Sequence, residues 1–364
     1  MLLLHHVGIA WDRVLEVPRV LTRAGVRQDL LAPRRMRAAT EPLTNGWQDG
    51  DCSCTAAEQG SISAGGRPRA YYDGQRLLWF DEAPPVLQFN KYVLSGYRAG
   101  YTYRQCLWSI LQYHNETGNI LVHLMPAVAI ALSLATRVLG AWPLAPIAFY
   151  VNVLPILASL AGSVVYHTLM ANHAHYLRWL LIDVCGVFAL FLSGAHTLLF
   201  WGFLCHPRMR AAFVGAYYLA AAACVAAGLH GRSALQRAVP MAALLGVRLA
   251  ALCARAALGS GSSTALRHYV AMEALSFVGA AVNVARLPER LFVVPLAGAS
   301  SRKRDGTNGG ASTRRFPGAF DYWLNSHQIM HLCVAAAMAH LHLGARQEYQ
   351  YFVAHGATCP ARTY

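Results

Sequence analysis

Charge is scarce in this chain of 364 residues. Asp, Glu, Lys and Arg together make up 13%, against 55% for the hydrophobic types. A soluble globular domain carries about 25% charge, so the composition points away from a soluble enzyme and toward a protein that crosses a membrane several times. Ordered cysteine spacing is also missing. Cys52 and Cys54 form a lone C-x-C in a polar stretch and the other seven cysteines are scattered, with no C-x-x-C. Neither a disulfide framework nor a thiolate zinc site is indicated. The opening stretch MLLLHHVGIAW lacks a basic leader and a convincing cleavage site, so it does not read as a signal peptide. The net charge of +14 comes from basic residues lying between apolar windows. That pattern suits topology signals better than a nucleic-acid face, and no nucleic-acid partner is expected.

What is present is a series of long apolar runs. Seven windows, at about 119–139, 144–169, 177–201, 211–229, 239–258, 267–285 and 326–344, each reach the length a bilayer core demands. The expected fold is therefore an all-α membrane protein, a bundle of seven transmembrane helices. Residues 1–84 read as a variable cytosolic tail without fixed structure. Residues 85–118 form a juxtamembrane segment, in which YRQCLWSILQY suits an amphipathic helix at the membrane surface with Leu107, Ile110 and Leu111 on its apolar side. The bundle occupies 119–344, with a flexible basic insertion at 291–317 in the last inner loop, and 345–364 reads as a short outer tail. Alanine- and glycine-rich spans four and five suggest close helix packing.

Basic residues set the expected orientation. With the N-terminus cytosolic, the inner side carries thirteen Lys and Arg near the spans and the outer side six, and seven of the thirteen lie in the last inner loop. The positive-inside rule then places the C-terminus outside. This is opposite to a G-protein-coupled receptor, and D-R-Y and N-P-x-x-Y are absent. The only glycosylation sequon, Asn115-Glu116-Thr117, falls on the cytosolic side.

His327 and His331 open the seventh span four residues apart, which puts both imidazoles on one helix face. On spacing alone an interfacial pair is the commoner arrangement. Topology adds His167, near the inner end of span two, and Asp183, about 9 Å into span three from its inner end. Four candidate ligands from three spans thus share one depth. Three imidazoles and an oxygen suit Zn²⁺. Of the seventeen acidic residues, only Asp183 and Glu273 lie within apolar windows. A buried structural hydrogen bond is an equal reading for Asp183 taken alone, and Glu273 reads as a structural partner of Arg248 or Arg255. Ser163 lies one turn before His167, where its hydroxyl either meets a ligand or, more commonly, satisfies a carbonyl of its own helix. His123, His173, His175, His196, His206, His340 and His342 read as loop, interfacial or outer-end residues.

From about Pro84 onward the chain resembles the progestin and adipoQ receptor (PAQR) family. The resemblance rests on LQFNKYVLSGYR, HNETGNILVH, GSVVYH followed by LIDVCG, NVARLPER, and FDYWLNSHQIMH. It implies seven helices with a cytosolic N-terminus. It also implies zinc held near the cytosolic face by His167, His327 and His331, with Asp183 reaching the metal through water and Ser163 as the serine of an S-x₃-H motif. The family is related to alkaline ceramidases. Two departures stand out: Leu121 and Val122 replace the usual aromatic and threonine before His123, and 291–317 is an insertion.

The expectation is a zinc-binding lipid or hormone receptor-like protein with zinc-dependent hydrolase activity on the amide of ceramide or another sphingolipid. Its rival is a non-enzymatic receptor or scaffold with structural zinc. In the hydrolase reading zinc activates water, Asp183 takes the proton and returns it to the leaving amine, and Ser163 helps hold the oxyanion. Asp183 is then the sole base expected at the metal. The expected location is the Golgi or plasma membrane.

Overall fold

The computed structural model describes residues 76–139, 147–230, 234–292 and 317–354. Most of the expected N-terminal tail and of the basic insertion lies outside them. Among the described residues seven helices are long and apolar enough to cross a membrane. A short helix α1 (Tyr103–Ser109) precedes α2 (Thr117–Leu139), α3 (Ile147–Leu169), α4 (Tyr176–Ala195), α5 (Pro207–His230), α6 (Ala234–Leu258), α7 (Ser263–Ala285) and α8 (Ser326–Ala354). A wide π turn, His196–Trp201, extends α4. The outward faces carry Met125, Leu132, Leu219 and Phe277, all well exposed, as lipid contact requires.

Three expected boundaries shift. α8 runs on to Ala354, past the expected end of its window at 344, because Glu348 and Phe352 pack inside the bundle. The surface helix is only Tyr103–Ser109, started by a capping box between Thr102 and Gln105. Leu107, Trp108 and Leu111 are exposed around it, in keeping with an interfacial position. Residues 76–84, expected in the tail, are packed. Leu78 and Ala83 are buried with Leu87, Val93 and Tyr97 against Tyr166, Met170 and Tyr176.

This cap is fastened by two buried carboxylates from the far end of the chain. Asp321 accepts from Leu94 N (2.8 Å), Ser95 Oγ (2.7 Å) and Gly318 N (2.8 Å). Glu289 accepts from Asn90 Nδ2 and from Ser326 N, each at 2.8 Å, and also from the Ser326 hydroxyl. Ser326 opens α8, so the cap and the first turn of that helix are fixed together.

The tightest glycine approaches lie in other helix pairs than α5 with α6. Gly215 and Gly246, in α5 and α6, face open space. A Cβ on Gly186 of α4 would sit 2.8 Å from Ser159 Cα of α3, and one on Gly279 of α7 would sit 2.7 Å from Cys333 Cβ of α8. These two pairs, α3 with α4 and α7 with α8, make the most extensive contacts in the bundle. Small residues let backbones meet where no hydrophobic force drives helices together. The α3–α4 contact is what holds Ser163, His167 and Asp183 near one another.

Candidate metal centre

His167 ends α3, and His327 and His331 occupy the first two turns of α8. One ring nitrogen from each lies within 4.8 Å of the other two. His331 Nε2 and His327 Nε2 are 3.2 Å apart. Two nitrogens bound tetrahedrally to Zn²⁺ at about 2.05 Å would be about 3.3 Å apart. His167 Nε2 is buried and carries no hydrogen bond. Buried polar atoms are rarely left bare, and a bare imidazole lone pair aimed at two others fits a metal site. The donor set and geometry therefore suit a metal ion such as zinc.

The group faces a cavity of about 440 Å³ that Ser163, Asp183, His123, Tyr166 and Tyr176 also line. Asp183 stands outside the cluster of nitrogens. Ser163 Oγ is buried without a hydrogen bond, so it does not satisfy a carbonyl of its own helix as isolated serines commonly do. Val86 and Phe89 of the cap also line it, with the Phe89 ring 5.9 Å from that of His327. Toward the bundle centre the lining is apolar until it reaches Arg248 and Glu273, which pair at 2.5 Å. The expected pairing of Glu273 holds for Arg248. Arg255 instead pairs with Glu348 at 2.6 Å.

Residues 111–342 match the family described as Haemolysin-III related. The chain is also 34% identical to progestin and adipoQ receptor family member 4 of Homo sapiens, over 80% of this chain and 99% of that protein. The chain belongs to the progestin and adipoQ receptor family. The mouse protein of the same name is 33% identical over 80% of this chain and 99% of its own length. An adiponectin receptor protein of Drosophila melanogaster is 25% identical over 73% of this chain and 58% of its own length.

Within this PAQR fold two residues at the centre were missed by the sequence reading. Glu116, just before α2, is buried, and its Oε2 lies 2.7 Å from His167 Nδ1. Burial by itself pushes this carboxyl up, but the hydrogen bonds from His167 and Asn119 and the nearby Arg98 charge hold it below the ordinary carboxylate range. Asp183 is therefore not the only carboxylate at the cluster. His123, set aside as one of the scattered histidines, is buried with Nε2 3.3 Å from His331 Nδ1. Both come from α2 or its first flank, at positions seven apart and so on one face. The run HNETGNILVH held both, but an apolar-window count overlooks a carboxylate placed three residues outside its window.

Proposed function

We propose that this chain is a zinc-binding, lipid-sensing membrane protein of receptor type whose metal centre hydrolyses the amide of a lipid such as ceramide. One observation carries the reading: the bare Ser163 Oγ and His167 Nε2 lie on the wall of a cavity that is otherwise largely apolar. A lipid tail fills such a cavity while its polar end meets the nitrogens and the hydroxyl.

The bound ion, held by His167, His327 and His331, would supply water activation and carbonyl polarisation. Asp183 lies on the same wall and is placed to take a proton from the water and return it to the leaving amine. Ser163 donates its hydroxyl hydrogen to the oxygen of the cleaved carbonyl, and the apolar lining excludes competing water. The proposed orientation puts the centre near the cytosolic face. Cys205, beyond the opposite end of α4 from Asp183, is disulfide-bonded. A disulfide belongs on the oxidising side of a membrane, in agreement with the charge bias. Asn115 of the sequon is buried, which fits a site that carries no glycan.

The test uses purified full-length protein in detergent with its metal content measured. Wild type should hold about one zinc and release fatty acid from ceramide in a zinc-dependent way. Asp183→Asn should keep zinc and melting temperature and lose release by about 100-fold or more. Zinc present with no release from ceramide in wild type would remove the hydrolase reading and leave a structural zinc that ties α3 to α8.

A further inference from the structure

Four histidines face the cavity and three of them group as candidate ligands, but an imidazole ligates through one nitrogen only when its hydrogen sits on the other. What holds the hydrogen in place on His167 is visible. Nδ1 meets Glu116 Oε2 at 2.7 Å, and an ionised carboxylate can only accept, so Nδ1 carries the hydrogen and Nε2 is left as a bare lone pair. Glu116 is itself anchored. Asn119 Nδ2, one turn further along, donates to the same Oε2 at 2.5 Å, and Glu116 N donates to His114 Nδ1 at 3.1 Å. The backbone of the ligand is held as well: Arg98 Nη2 donates to His167 O at 2.7 Å while Nη1 donates to Ser109 Oγ at 2.5 Å. The second ligand of the set also has a neighbour from α2: His331 Nδ1 lies 3.3 Å from His123 Nε2, which is 3.4 Å from His331 O as well.

We infer that Glu116 is the principal positioning residue of the metal centre, fixing the tautomer and ring orientation of His167, and that α2 serves the centre without giving it a ligand. The inference rests on the zinc reading above. A carboxylate behind a ligating imidazole fixes the ring and makes it a better donor, and losing such a partner costs about 10- to 100-fold in metal affinity. The sequence logic is the run Glu116-x₂-Asn119-x₃-His123. Offsets of three and seven place all three on one face across two turns, with the carboxylate nearest His167 and the imidazole nearest His331.

Glu116→Gln keeps the shape and removes the charge. Its amide either accepts from His167 Nδ1 more weakly or turns to donate, which would move the hydrogen to Nε2 and block ligation. The experiment compares purified wild type, Glu116→Gln and Glu116→Ala, reading zinc affinity by chelator competition and the melting temperature of the zinc-free proteins. The expected result is zinc affinity about 10-fold weaker in Glu116→Gln and about 100-fold weaker in Glu116→Ala, with the zinc-free Gln variant melting at or above wild type. Zinc affinity unchanged in Glu116→Gln overturns the inference while leaving the zinc centre standing. Zinc affinity and zinc-free stability falling together in the Gln variant also overturns it, since that is the mark of a structural carboxylate. A wild type that binds no zinc overturns both the inference and the zinc reading beneath it.

Discussion

The two ends of α8 both bury polar groups, and they treat them in opposite ways. At the C-terminal end Arg255 is fully buried, with Nη2 on Glu348 Oε2 at 2.6 Å, Nε on Ser260 O at 3.4 Å and Nη1 on Leu198 O at 3.4 Å. Glu348 Oε1 also accepts from Ser262 N at 3.2 Å, and the Arg255 guanidinium lies over the Tyr269 ring. Both charges have partners, and neither residue lines the cavity of the metal centre. At the N-terminal end His167 Nε2, Ser163 Oγ and His123 Nδ1 are buried and bare. A buried polar group without a partner costs free energy unless something arrives to satisfy it. Satisfied burial marks a fastening, whereas bare burial on a cavity wall marks a site.

The largest effect should come from crossing the two ends. Glu348→Ala strands the buried Arg255 charge and should cost about 3–5 kcal/mol of stability while the zinc content of the folded fraction stays at the wild-type level. His331→Ala should do the reverse, losing zinc while the zinc-free melting temperature moves little. Thermal unfolding and metal analysis on both proteins check this, and a shared phenotype would break the distinction.

A smaller effect separates the tight helix pair from the loose one. Gly186→Ala pushes a methyl toward the α3 backbone and should destabilise by about 1–3 kcal/mol. Gly215→Ala, which meets open space, should stay within about 0.5 kcal/mol. Equal melting temperatures for the two would show that the α3–α4 contact yields more easily than its geometry implies.

A last effect concerns pH and the cap. Burial first, and then the Arg98 charge, hold the His114 imidazole down at about 3 from 6.5. The folded protein therefore stays neutral there while the unfolded chain takes up a proton. Stability present at neutral pH is lost as the pH falls below 6.5 toward about 3. His114→Gln should flatten that part of the profile of melting temperature against pH, and an unaltered profile would count against a buried neutral imidazole.

Much of the molecule was legible in the sequence, for local reasons. An apolar run long enough to span a bilayer forms a helix whatever its neighbours do, because backbone groups in lipid must be satisfied within the segment. The depth of His167, Asp183, His327 and His331 followed from counting residues along such helices. Rotation about each helix axis was not legible in the same way. His123 sits near the start of an apolar window like several other histidines, and only the packing of α2 beside α8 turns it toward His331. Glu273 faced two basic partners, Arg248 and Arg255, until α8 ran on past 344 and brought Glu348 to Arg255.

By itself, then, the sequence determined the seven spans, their order and the depth at which three imidazoles meet, since hydrophobicity and helix rise are properties of a single segment. Only the tertiary structure decided which buried groups are matched and which are left bare. That depends on which face each helix presents to its neighbours. Glu116 lies one residue before α2 and three before its apolar window, and the fold alone sets its carboxylate 2.7 Å from the ring of His167.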